Sequence, residues 1–236
     1  MYKIETWKNE MLTRIIEEIK SIFERDPAAR NAPEVILCYP GFQAVLIYRL
    51  SNIMWKAKLK LIARITANIG RIITGIEIHP AAKIGKKLFI DHGIGVVIGE
   101  TAVIGDGCTL YHGVTLGGVS WKKGKRHPTL GDKVIIGAGA KVLGPITIGN
   151  GSKIGSNAVV LEDVPDKTTV VGIPARTAND YDEQHLDERN QDSNAFRPYG
   201  QSPGLSDPID ETINLLIKKI DSLEKELSNI KSSREK

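Results

Sequence analysis

The chain has 236 residues, 41% of them apolar and 25% charged. That suffices for one main core and an accessory one, and the formal charge of +4, without aromatics interleaved among the basic residues, suits an anionic small molecule rather than nucleic acid. Two cysteines are too few for a disulfide framework, acidic residues in the opening turns argue against a secretory leader, and Lys60, Arg64 and Arg71 interrupt the most apolar helical run; a cytoplasmic protein without a membrane span is expected.

Residues 1–75 read as a helical domain. Trp7, Met11, Ile15, Ile16, Ile19, Ile22 and Phe23 recur at three-to-four spacing, the mark of one apolar helix face. Asp26-Pro27 is suited to cap a new helix with proline at its first position. Further helices are expected from about Gly41 to Lys56 and from about Leu59 to Ile73.

Residues 76–176 repeat with a period of six. Ile78, Ile84, Ile90, Ile98, Ile104, Leu110, Leu116, Leu130, Ile136, Val142, Ile148, Ile154 and Val160 mark it, and glycine commonly follows the aliphatic residue. This period belongs to a parallel β-helix of hexapeptide repeats, here about five triangular coils with the aliphatics stacked inward. Glycine fits corners where backbone strain or close approach excludes a Cβ. Cys108, at a small-residue position, reads as a packed and inert thiol.

Residues 177–206 are polar, with too little apolar surface to fold alone. Residues 207–236 then open on Ser206-Asp207-Pro208, a helix start. Ile209, Ile213, Leu216, Ile220, Leu223, Leu227 and Ile230 follow at alternating spacings of four and three. That pattern describes a coiled-coil-like seam or an amphipathic helix docked on the body.

The repeat breaks twice. The first break, around Asp91-His92-Gly93, holds two extra residues, and bulging the coil there turns Asp91 and His92 into a groove. Histidine suits general-base work near neutral pH. Glu77, fifteen residues earlier on the neighbouring coil, is placed to orient its imidazole. The alternative is that Asp91-His92 merely satisfies hydrogen bonds at an irregular turn. The second break, Gly117–Pro128, is some eight residues longer than the repeat needs and carries Arg126-His127; arginine binds a carboxylate bidentately. Lys122, Lys123 and Lys125 read as a solvated face. The histidines at 79, 92, 112, 127 and 185 include no pair at metal-ligand spacing. No metal is expected, although a zinc site assembled between subunits stays open.

The strings Gly75-Ile76-Glu77-Ile78-His79-Pro80, Asp91-His92-Gly93, Gly113-Val114-Thr115-Leu116-Gly117-Gly118 and Arg126-His127-Pro128, with Asp26-Pro27 and Tyr39-Pro40-Gly41-Phe42, closely resemble serine O-acetyltransferases over residues 24–176. The resemblance implies a helical domain followed by a left-handed parallel β-helix, an α+β chain assembled as a homotrimer or as a higher assembly of trimers. It implies active sites between subunits and transfer of acetyl from acetyl-CoA, a co-substrate and not a resident cofactor, to L-serine. Residue by residue, His92 matches the general base and Glu77 its partner carboxylate. Asp26 and Asp91 match the ammonium clamp, and Arg126 and His127 the carboxylate clamp. Backbone groups near Gly118 and Ala138 match contacts to the pantetheine arm, while Lys153 and Arg176 are candidates for the phosphates. The family's sulfhydrylase-binding tail ends in an isoleucine carboxylate. This chain ends Ser233–Lys236, which speaks against that complex. The other readings are an acetyltransferase acting on a sugar or on another amino acid such as homoserine, and a non-catalytic scaffold. The Asp26, Asp91 and Arg126 clamp argues against a neutral sugar, and intact Glu77, His92 and Arg126 argue against a scaffold.

Overall fold

The computed structural model describes residues 2–177 together with 216–220 and 222–223. Helix α1 (Tyr2–Phe23) is followed by α2 (Ala32–Cys38), α3 (Pro40–Lys56) and α4 (Lys60–Thr74). Helix α2 differs from the expected start at Asp26-Pro27. The Asp26 carboxylate accepts from the Ala28 amide at 2.8 Å and closes a turn there, and Asn31 caps the helix by accepting from Glu34 N. No helix among the described residues is long and apolar enough to cross a membrane.

The β-helix begins directly after α4. Its first coil is β1 (Glu77–Ile78), β2 (Lys83–Ile84) and β3 (Phe89–Asp91); its second is β4 (Val97–Ile98), β5 (Val103–Ile104) and β6 (Thr109–Tyr111). The third is β7 (Thr115–Gly117), β8 (Thr129–Leu130) and β9 (Ile135–Ile136), and the fourth β10 (Lys141–Leu143), β11 (Thr147–Ile148) and β12 (Lys153–Ile154). Strands β13 (Val159–Val160) and β14 (Thr169–Val171) belong to the fifth coil, and β15 (Arg176–Thr177) turns back antiparallel on β14. The parallel faces are β1-β4-β7-β10-β13, β2-β5-β8-β11 and β3-β6-β9-β12-β14. All thirteen aliphatics of the six-residue series are buried, none more than 9% exposed, and they stack into one core. Cys108 lies within that core, where burial pushes its thiol up to about 11, so it stays protonated and inert.

The corner between the second and third faces is stitched by side chains. Lys86 N donates to Asp106 Oδ1 across 20 positions of chain, Asp106 N to Asp132 Oδ1 across 26, Asp132 N to Asn150 Oδ1 across 18, and Asn150 N to Asp166 Oδ1 across 16. The coil that contains the second break is the longest, and the carboxylate still meets the same backbone group. Close approach, not backbone strain, accounts for glycine here: a Cβ on Gly105 would lie 2.5 Å from Asp132 Oδ1.

The helical domain is clamped to the first coil. Tyr48 Oη donates to Ala82 O at 2.6 Å, Asn52 to Pro80 O at 2.7 Å, and Arg49 to Ile84 O at 2.7 Å while also pairing with Glu18. Gly41, in the first turn of α3, lies against the Ile90 carbonyl so closely that any Cβ would overlap it. That contact sets the helices directly beside Asp91.

Candidate active site

The first break forms the corner between the third and first faces. Its two additional residues are spent on a tight turn. Gly93 N donates to Asp91 O at 2.6 Å and Ile94 N to His92 O at 2.9 Å. His92 itself adopts φ 58°, a left-handed conformation uncommon for a residue with a Cβ. Lys87, Lys133 and Asn157 take the same conformation at other corners, so it is a corner geometry of the β-helix and not a mark of this site. The imidazole projects outward, 65% exposed, with Nε2 3.8 Å from Asp91 Oδ2.

Arg25 brings Asp26 to this corner. Its guanidinium donates to Cys108 O and Thr109 Oγ1 and lies over the Phe89 ring. Tyr39 Oη then donates to Asp26 Oδ2 at 2.7 Å, with burial and this bond holding the phenol protonated. Asp91 is pushed above the usual carboxylate range, chiefly by burial and further by the like charge of Asp26, against the opposing pull of His92 and His112. The corner therefore sets two carboxylates beside an exposed imidazole. His112 is a neighbour that spacing did not flag. Its ring stands edge-on to His92 at 5.9 Å, because Asp91 pairs with Tyr111 and one coil carries position 92 onto 112. Ala138 stacks above it on the same corner, where Gly139 N donates to His112 O.

Glu77 opens the first face just past this corner. Its carboxylate pairs with Arg71 Nη1 at 3.0 Å rather than with His92.

The second break lies at the next corner, between the first and second faces. The inserted loop leaves β7, swings out with Trp121 fully exposed at its tip and Val119 beside it, and returns over β4. The return is pinned by Thr101, whose Oγ1 accepts from the amides of Arg126 at 3.0 Å and His127 at 3.1 Å. Lys125 Nζ adds a bond to Thr101 O at 2.8 Å. Arg126 Nη2 meets Glu100 Oε2 at 2.5 Å, which holds the Glu100 carboxyl below its usual range. The His127 ring is buried on the bare backbone of Gly99, where a Cβ would overlap it. Burial first, then Arg126, lowers the His127 pKa against the pull of Glu100. His79, one coil below, is depressed to about 4 by burial and Arg64, and its Nδ1 accepts from Ala81 N. Gly118 lies here too, 3.0 Å from Arg126 O if given a Cβ.

One chain thus brings Asp26, Asp91 and His92 together on one corner and Arg126 and His127 together on the next. The intervening face is about six residues long, roughly 20 Å if extended, so the two groups do not meet within the chain. Lys153 lies on the third face in β12, and Arg176 pairs its backbone with Val171 at the far end of that face. Among the described residues no group of three or more histidines, cysteines or carboxylates is placed to hold a metal ion.

The bacterial transferase hexapeptide family (six repeats) matches residues 127–162. The chain is 47% identical over 219 residues to a serine acetyltransferase of Bacillus pumilus, covering 93% of this chain and 96% of that one. It is 59% identical over 159 residues to a serine acetyltransferase of Helicobacter pylori, covering 67% and 93% respectively. The crystal structure of the Neisseria gonorrhoeae serine acetyltransferase in complex with serine superposes with a TM-score of 0.70 at 40% identity over 75% of this chain and 72% of that one. The soybean serine acetyltransferase complexed with serine gives 0.68 at 44% identity over 70% and 68%.

Proposed function

Because the chain belongs to the serine acetyltransferase family, we infer that its two charged corners are two halves of one amino-acid site, each completed by a neighbouring subunit. The enzyme transfers the acetyl group of acetyl-CoA to the hydroxyl of L-serine, giving O-acetylserine and CoA, a step of cysteine biosynthesis. The observation that carries the two-subunit reading is the separation of His92 from Arg126-His127 on successive corners of a triangular cross-section. A threefold ring sets the first corner of one subunit against the second corner of the next, a head-to-tail contact that closes on itself. The apolar loop tip at Val119 and Trp121 gains cover in the same contact.

In this site Asp26 and Asp91 hold the serine ammonium, while Arg126 and His127 of the adjacent subunit hold the carboxylate. An amino acid pinned at both ends presents its hydroxyl to His92. His92 takes the hydroxyl proton as serine Oγ bonds to the thioester carbonyl carbon. The tetrahedral intermediate collapses with cleavage of the C–S bond, and His92 returns the proton to the departing sulfur. Glu77 supports the imidazolium once its carboxylate exchanges Arg71 for His92. Acetyl-CoA lies along the groove between subunits, its pantetheine arm against the backbone near Gly118 on one corner and Ala138 on the other. Lys153 and Arg176 serve the phosphates. The reaction calls for no resident cofactor, and both substrates suit a cytoplasmic setting.

Thiol release from acetyl-CoA, with L-serine compared against homoserine and a neutral sugar, tests the acceptor. Co-expression of His92→Ala with Arg126→Ala tests the two-subunit site. Each variant alone loses about 10²-fold or more. Over all randomly assembled trimers of a one-to-one mixture, about a quarter of the sites pair an intact first corner with an intact second corner, and activity returns. Sites confined to one chain would stay dead in every mixture.

A further inference from the structure

We propose that Thr101 is a positioning residue that fixes His127 as a neutral imidazole with its proton on Nε2, so that this corner offers a substrate carboxylate one cation, Arg126, and one neutral donor. The inference rests on the reading of Arg126-His127 as the carboxylate clamp, and nothing in the repeat pattern marks Thr101.

The argument is a count of donors and acceptors. Thr101 Oγ1 accepts from two backbone amides, those of Arg126 and His127. A hydroxyl has two lone pairs and one proton. With both lone pairs engaged, its proton goes to the remaining partner in range, His127 Nδ1 at 2.9 Å. The Thr101 amide also points at Nδ1, at 3.2 Å. A nitrogen that receives two donors is an acceptor and carries no proton. The ring proton therefore resides on Nε2, the edge turned away from Thr101. Thr101 thus performs two tasks with one side chain: it anchors the returning loop and selects the tautomer of the residue that loop delivers.

The surroundings favour the same state. Burial is the strongest influence against charge on His127, Arg126 and Lys125 add to it, and Glu100 opposes it; His79 faces the same corner and is itself kept neutral. A cationic His127 beside Arg126 would hold a carboxylate more strongly before and after reaction alike, which slows release without favouring the transition state. A neutral donor supplies direction without that additional grip.

The test uses protein labelled with 15N at histidine, with the His127 signals assigned by difference against His127→Gln. Long-range proton–nitrogen spectra are expected to show Nδ1 unprotonated and Nε2 protonated at neutral pH. In Thr101→Val, protonation at Nδ1 is expected to become populated, and the KM for serine to rise about tenfold with kcat within a factor of about two, the effect of one lost hydrogen bond on binding. Thr101→Ser keeps the hydroxyl and restores both readouts. A wild-type proton on Nδ1, or a serine variant as impaired as the valine variant, overturns the proposal. If the wild-type protein releases no thiol with serine, the clamp reading falls, and the spectra alone judge Thr101.

Discussion

Replacing Gly99 by alanine separates the catalytic meaning of a repeat glycine from its structural one. A Cβ at Gly99 would stand 2.7 Å from His127 Cγ, with Cδ2 and Nε2 nearer still. Non-bonded carbons rest at roughly 3.5–4.0 Å, and because Cδ2 is the nearest atom the ring must withdraw by about 1.5–2 Å. Its bonds to Thr101, at 2.9 and 3.2 Å, do not survive such a move. Overpacking of this kind costs about 1–3 kcal/mol, and a misplacement of about 1 Å in a substrate-positioning group costs about 10²-fold in rate. We therefore expect Gly99→Ala to lower kcat/KM for serine about a hundredfold in a thiol-release assay at saturating acetyl-CoA. Gly105→Ala is the matched control. It occupies the equivalent repeat position, and its Cβ would strike Asp132 Oδ1 at 2.5 Å and the Gly131 carbonyl at 2.6 Å, at a corner without a clamp. It should lose a comparable amount of thermal stability and keep its serine kinetics. Wild-type kinetics in Gly99→Ala, or equal losses of activity in the two variants, would refute the reasoning.

Asp26→Asn removes the like charge that helps hold Asp91 above the usual carboxylate range. In the proposed site Asp91 grips the serine ammonium only when ionised, so serine binding is expected to fade as pH falls through its raised value. The substitution should move that acid limb to lower pH while weakening binding at neutral pH; calorimetric titration of serine from pH 5 to 8 checks both, and an unmoved or upward-shifted limb contradicts them. Arg126→Lys keeps the charge but loses the planar fork that faces a carboxylate. Its serine KM should rise about tenfold with little change in kcat, and steady-state kinetics showing the loss in kcat instead would place Arg126 outside the clamp.

The β-helix was legible because its core is one-dimensional. A residue such as Leu116 or Ile136 is buried by coils of the same kind above and below, so a period of six suffices to place it. The breaks were legible for the same reason: a fixed period turns an additional pair or octet of residues into a bulge at a known corner. Relations that depend on where a side chain returns were not. His112 meets His92 only because the first break lengthens a coil, and Thr101 matters only because a loop some twenty-five positions later folds back over it. In the helical domain Asp26-Pro27 looked like a cap, but a local turn and the Tyr39 hydroxyl take the carboxylate, and Asn31 caps instead. Glu77 was placed beside His92 from coil arithmetic, which is blind to Arg71 approaching from α4. The seam from Ile209 to Ile230 lies mostly outside the described residues; of its members, Leu216, Ile220 and Leu223 are helical and half exposed.

The stitched corner at Asp106, Asp132, Asn150 and Asp166 has a consequence for how such a scaffold can diversify. Each rung is indexed by a side chain reaching the coil beneath, whatever length of chain runs between rungs. Coil length and vertical register are thereby decoupled. A loop can be lengthened, shortened or exchanged at one corner without shifting the stack above it. New acceptor specificities could then be grafted between rungs in the way a page is replaced in a bound ledger, with the spine carrying no record of the change.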